Sequence, residues 1–190
     1  KFLDCSNEGK IIVDIQDNSD VVEVRVSGLV GRCEQVYSRE NRIVSCTNRG
    51  DIYVSNNTSG SVSVGGISSN YSFRVDSCEN HSVVKVNAYE GSAYVGGGSS
   101  ASMGITYCFN RDSVICESDG FEVQVGGVCS YSSYNSSQTD SLYTCGNEGE
   151  IEVKSNGSML SVGGVMGQNT DCPVVDCWNR GGLKIESSAP

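Results

Sequence analysis

The sequence predicts an all-β fold, a parallel β-helix (β-solenoid) of about five to six coils with three short strands in each. Three observations carry this. A Cys-x-Asn motif returns six times, a Val-Gly-Gly signature recurs between its copies, and apolar and polar residues alternate with no helical period. Self-similarity at a spacing of tens of residues marks units that cannot bury their apolar face alone and do so by stacking.

The motif fixes the frame. Its copies are Cys5/Asn7, Cys46/Asn48, Cys78/Asn80, Cys108/Asn110, Cys145/Asn147 and Cys177/Asn179, with successive cysteines 41, 32, 30, 37 and 32 residues apart. Three positions before each cysteine stands an apolar residue: Phe2, Ile43, Val75, Ile105, Leu142 or Val174. Six after it comes Ile11, Ile52, Val84, Val114, Ile151 or Leu183, and eight after it Val13, Val54, Val86, Cys116, Val153 or Ile185.

Three strands follow from the alternation. The first starts four residues after the cysteine, as in Gly50-Asp51-Ile52-Tyr53-Val54. The second precedes the glycine pair, as in Val62-Ser63-Val64, with counterparts at Val24/Val26, Ala93/Val95, Val123/Val125 and Leu160/Val162. The third leads into the next cysteine, as in Ile43-Val44-Ser45. Turns are expected at the glycine pairs, near Cys-x-Asn and at polar stretches such as Asn56-Asn57-Thr58-Ser59-Gly60. The extra length of the first and fourth intervals places insertions at 32–42 and 130–140, and loops on a rigid scaffold are where binding concentrates.

The pattern Cys-x-Asn-x-Gly-x-Ile-x-Val, followed by Val-Gly-Gly and a later Gly as in Val162-Gly163-Gly164-Val165-Met166-Gly167, resembles the GLUG repeats of bacterial surface proteins. Those repeats occur in adhesins and IgA-peptidase-like proteins. The resemblance covers essentially the whole chain. It implies a β-solenoid and a secreted or cell-surface setting, and it transfers no catalytic residue. The later glycine is replaced in other copies, by Ser68-Ser69 and Ser99-Ser100.

Composition narrows the function. The 190 residues carry a net charge of -10, without the basic footprint that nucleic acid or anionic lipid requires. Apolar runs are too short to span a membrane. A single repeat domain over 1–190 is expected, as a segment of a larger protein, because the chain opens inside one repeat and closes just after the start of another.

Ten cysteines are present. The six in the motif are expected to be small buried side chains that fill a tight corner of each coil. The other four, Cys33, Cys116, Cys129 and Cys172, are candidate disulfide cysteines in an oxidising compartment, with Cys129–Cys172 one pairing; connectivity does not follow from sequence. A zinc site would need clustered Cys and His, whereas the chain has no Cys-x-x-Cys and one histidine, His81, so neither metal nor cofactor is expected. The six asparagines are expected to stack as an amide ladder, each side chain bonding turn backbone at a left-handed corner.

No nucleophile, base and orienting group can be read together, so no catalytic residue is assigned. The candidate binding loop is the Tyr/Ser/Asn stretch with Tyr131, Tyr134 and Asn135, a composition that combines rigid contact area with adaptable hydrogen bonding. The expected function is a non-catalytic adhesive or stalk segment that meets a protein or glycan on another surface through loops 32–42 and 130–140. The first alternative is a filament subunit that self-associates end to end through its terminal coils. A polysaccharide-active β-helix enzyme is a third reading, by analogy of fold alone.

Overall fold

The computed structural model describes residues 1–16, 23–32, 40–133 and 141–187. Among these every strand pairing is parallel, and each strand pairs with its equivalent one coil away. This is a parallel β-helix of six coils.

Five ladders run along it. The lead-in ladder comprises Phe2–Leu3, Arg42–Val44, Arg74–Asp76, Gly104–Thr106, Leu142–Tyr143 and Val174–Val175. The asparagine ladder comprises Ser6–Asn7, Thr47–Asn48, Glu79–Asn80, Phe109–Asn110, Gly146–Asn147 and Trp178–Asn179. The broad ladder holds Ile11–Ile15, Ile52–Asn56, Val84–Ala88, Val114–Ser118, Ile151–Ser155 and Leu183–Ser187. The glycine ladder holds Glu23–Ser27, Ser61–Gly65, Ala93–Gly96, Glu122–Gly126 and Met159–Gly163. The closing ladder is Ser99–Ala101, Cys129–Ser133 and Met166–Thr170, continued by single bridges from Ser99 to Ser68 and from Ser68 to Val30. The three strands read from the sequence are the lead-in, broad and glycine ladders. The other two fall where turns were expected: the dipeptide after each cysteine and the stretch after the glycine pairs.

The corner itself lies one residue before the cysteine. Asp4, Ser45, Ser77, Tyr107, Thr144 and Asp176 have φ between 52° and 54°. The left-handed position was expected at the asparagine, which instead sits in extended backbone. The reason is geometric: only two residues separate the two short strands, and the first of them, just before the cysteine, takes the left-handed bend. No described glycine has positive φ. The glycines therefore serve close approach and not left-handed turns. A Cβ on Gly66, Gly97 or Gly127 would lie 2.6 Å from a side-chain atom of Asn80, Asn110 or Asn147 respectively, and would also collide with the carbonyl of the equivalent glycine one coil on.

Two apolar compartments fill the interior. The larger is built from Ile52, Val54, Val84, Val86, Val114, Ile151 and Val153 of the broad ladder against Val62, Val64, Val95, Val123 and Val125 of the glycine ladder. The smaller joins Ile43, Val75, Ile105 and Leu142 to the inner motif cysteines and to Ile67, Val128 and Cys129. Burying each Val, Ile or Leu is worth roughly 1.5–3 kcal/mol, so ladder stacking supplies the main stabilisation. That stacking lapses at the ends. Ile151 is fully buried, while Leu183, its partner in the last coil, is 45% exposed.

Candidate functional site

The asparagine ladder is a continuous chain of amides. Asn7 Nδ2 donates to Asn48 Oδ1 at 2.7 Å, Asn48 to Asn80 at 2.8 Å, Asn80 to Asn110 at 2.8 Å, Asn110 to Asn147 at 2.7 Å and Asn147 to Asn179 at 2.7 Å. Each Nδ2 also donates to the carbonyl two residues on, such as Ser82 O at 2.7 Å and Gly149 O at 2.7 Å, which closes the turn behind it. The four inner asparagines are fully buried. All five side-chain bonds point the same way along the axis, so the amide dipoles add and reinforce one another. The ladder expected from sequence is thus present, and it unites all six copies.

The motif cysteines do more than fill space. Cys46 Sγ donates to Val44 O at 3.2 Å, and Cys78 and Cys108 donate to the carbonyls of Asp76 and Thr106 at 3.1 Å, bracing the left-handed corner between. The same sulfurs accept the backbone N–H of the cysteine in the coil before, as Cys46 accepts from Cys5 at 3.3 Å and Cys78 from Cys46 at 3.4 Å. Burial pushes the Cys46 thiol up to about 11, and burial likewise raises Cys108. At the outer coil, the hydrogen bond with Cys145 pulls the Cys177 thiol below its ordinary value.

Of the four remaining cysteines, Cys33 lies outside the described residues. Cys116 is a thiol in the broad ladder with Val86 and Val153 as neighbours in register. It replaces a core valine and is no half of a bridge, and burial pushes it up to about 12. Cys129 and Cys172 are brought into one apolar cluster. The Cys129 thiol is pushed up to about 12, by burial first, with Cys172 adding to the rise.

His81 is a surface residue. Its Nε2 lies 2.6 Å from Glu79 Oε2, and Glu79 also meets Arg111 at 3.1 Å, which in turn meets Glu148 at 2.6 Å. These charges belong to successive coils and tie them along one side. Among the described residues no group of three or more His, Cys, Asp or Glu is placed to hold a metal, and no helix is long and apolar enough to cross a membrane.

Tyr134 and Asn135 lie outside the described residues, as does most of loops 32–42 and 130–140. Tyr131 is described. It stands edge-on to Tyr71 with ring centroids 5.9 Å apart and lines a lateral groove. Sequence reasoning missed its partners, because they come from four coils and from unequal positions within them.

The end coils form the other candidate surface. On the last coil Val174, Val175, Leu183 and Ile185 are exposed, and on the first Phe2 and Leu3 are exposed. The inner equivalents of Phe2, Val174, Leu183 and Ile185 are the core residues Ile43, Leu142, Ile151 and Val153, whereas Leu3 and Val175 stand in register with the outward Val44 and Tyr143. Among the described residues Asn179 Nδ2 donates only to Gly181 O, at 2.8 Å, and meets no further asparagine along the axis as each inner one does. At the opposite end Asn7 Oδ1 accepts from Gly9 N at 3.2 Å, where inner asparagines also accept an amide from the coil before.

A comparison with protein-family models, with curated proteins and with solved structures finds no match in any of the three.

Proposed function

We propose that the chain is a non-catalytic structural module of the cell surface or the extracellular space, a stalk segment that extends by stacking coil on coil and meets partners through its sides. The observation that supports this most strongly is the state of the two end coils. Both keep the ladder geometry of the interior, yet among the described residues their outer edges carry unmatched strand backbone, apolar core-type side chains and the two open ends of one amide chain. The ends differ: one offers an amide donor and the other an amide acceptor. Stacking would therefore be head to tail, a heterologous contact that propagates without closing. The likeness to GLUG repeats supports the surface setting.

Sedimentation of the chain over a concentration series tests the reading. Association should be present, should weaken in Ile185→Lys, where a charge enters the exposed end of the core ladder, and should persist in Ile12→Lys on the side wall. Association that ignores Ile185→Lys and falls with Ile12→Lys would reject end stacking.

A second reading, a filament built from copies of this chain alone, is favoured by the same polarity, since the first coil supplies the acceptor that the last coil's donor lacks. The stalk reading places further coils of a parent protein there instead. Stacks of the chain alone that lengthen without limit favour the filament, and stacks that stay short favour the stalk. A polysaccharide-active enzyme would release reducing ends or unsaturated sugars from acidic polysaccharides, and no release is expected.

A further inference from the structure

Along the side of the helix, where the glycine ladder meets the closing ladder, six side chains from coils two to five enclose a groove of about 290 Å³: Tyr71, Tyr94, Glu122, Gln124, Tyr131 and Gln168. That volume is at the lower end for small-molecule sites. The groove exists because the glycine pair lets the chain fold back tightly: a Cβ on Gly65 would stand 2.8 Å from Ser100 N. The two ladders therefore meet at a concave angle, and their outward residues face one another.

Gln124 is the anomaly in it. It takes an outward position, between core residues Val123 and Val125 and in register with Tyr94 and Ser161. Yet it is only 3% exposed. Its Nε2 donates to Glu122 Oε1 at 2.6 Å and to Gln168 Oε1. Among the described residues its Oε1 is buried with no donor. A buried acceptor left without a partner costs roughly 1–3 kcal/mol, which a ligand that brings a donor would recover.

The chemistry of that ligand follows from the groups around it. The one carboxylate is already engaged on both oxygens, Oε1 by Gln124 and Oε2 by the Tyr94 hydroxyl at 2.7 Å. Arg25, two coils before Tyr94 on the same ladder, supplies a positive charge on this side, itself paired with Glu23 at 2.7 Å. No open charge remains to select a cation, and the carboxylate disfavours an anion. What is left is a neutral acceptor between aromatic walls, with Tyr71 and Tyr131 edge to face at 5.9 Å. A hydroxyl donor on a ring with an apolar C–H face matches both features.

We infer that this groove binds a neutral sugar unit of a glycan, with Gln124 Oε1 accepting from a sugar hydroxyl and Tyr131 and Tyr71 packing against the ring. This goes beyond the stalk reading and does not depend on end stacking. Gln124 and Tyr131 are the specificity residues, and Glu122 and Tyr94 hold the Gln124 amide in place.

The test is NMR titration of the labelled 190-residue chain with the methyl glycosides of glucose, galactose, mannose and N-acetylglucosamine. Tetramethylammonium chloride and sodium sulfate serve as charged probes. Concentrations up to about 10 mM detect a Kd of about 1 mM or tighter. At least one sugar should shift the ring signals of Tyr71, Tyr94 and Tyr131 and the side-chain amides of Gln124 and Gln168 in the unaltered protein. Gln124→Leu and Tyr131→Ala should each weaken that sugar at least tenfold while leaving the backbone spectrum dispersed. No sugar shifting the groove signals, or tetramethylammonium or sulfate shifting them in place of sugars, would overturn the inference; so would sugar binding retained in both folded variants. The mapping on the unaltered protein decides even where a variant fails to fold.

Discussion

Gly66 and Asn80 share one volume: a Cβ on the glycine would lie 2.6 Å from the Oδ1 of the asparagine in the next coil. The same pairing recurs between Gly97 and Asn110 and between Gly127 and Asn147. The two signatures of the sequence are thus halves of one contact. The asparagine ladder needs a wall without side chains, and the second glycine of each Val-Gly-Gly supplies it. Replacing Gly97 with Ala should destabilise the protein by about 3 kcal/mol through overpacking against backbone and a bonded amide. Gly9→Ala is the internal control, because its nearest neighbour would be Asn7 Oδ1 at an ordinary 3.7 Å. Urea midpoints of the two variants check this, and equal midpoints would contradict it.

The amide ladder makes a second prediction. Asn80 accepts from Asn48, donates to Asn110 and to Ser82 O, and accepts from the Ser82 hydroxyl. Asn80→Leu leaves buried polar partners on both sides and should cost about 3–5 kcal/mol. Asn179→Leu, in the exposed last coil, should cost about 1 kcal/mol. Thermal denaturation ranks the two, and the ladder has no structural role if the order reverses.

Left-handed backbone at a non-glycine residue carries a penalty of roughly 1–2 kcal/mol, and it weighs most on a β-branched side chain. Thr144, with φ of 52°, is that case. Thr144→Gly should therefore stabilise the protein by about 1 kcal/mol, or about 2–4 °C in Tm for a chain of this size. Thr106→Gly, two residues before Cys108 and in a strand, should destabilise it. Differential scanning calorimetry of both variants provides the comparison.

Thiol reactivity follows position in the stack, because the thiolate is the reactive form. Burial raises Cys46, Cys108, Cys116 and Cys129, while Cys177 is lowered by its bond with Cys145. Iodoacetamide near pH 8 should modify Cys177 well ahead of these four, which should react only on unfolding. Peptide mass mapping reads the order, and early labelling of Cys108 or Cys116 would refute the buried ladder.

The charge network gives an acid limb. Burial works against ionised Glu79, yet its bonds to Arg111 and His81 outweigh that and hold its carboxyl below the ordinary range. A depressed folded-state value means the stabilisation is full above the unfolded value, about 4.3, and is lost as pH falls through the lower folded one. Melting temperature should thus drop below pH of about 4, and Glu79→Gln should flatten that drop. An unchanged slope in the variant would assign the acid limb to other carboxylates.

The coil was legible because its chemistry repeats in register: six asparagines, six cysteines and the Ile/Val positions six and eight residues after them. Other features left no compositional trace. Asp4, Ser45, Ser77, Tyr107, Thr144 and Asp176 share a backbone conformation but no side-chain type, so the true corner was invisible. The asparagine drew the left-handed assignment because its residue type tolerates that conformation, whereas burial and axial bonding fixed its place. Gly146 shows a similar hidden logic. It lies in register between Phe109 and Trp178, and its missing side chain lets those rings approach to 6.0 Å across two coils. The lateral groove was out of reach for another reason. Tyr131 was singled out by composition, but Tyr71, Tyr94, Gln124 and Gln168 meet it only once unequal intervals are wound into coils.

Electron microscopy of the purified chain under native, non-reducing conditions tests the central claim most directly. Head-to-tail stacking predicts linear particles with an axial repeat of about 29 Å, six coils at about 4.8 Å each, shortened or dispersed by Ile185→Lys. Single compact particles at every concentration, or assemblies joined through their sides, would contradict it.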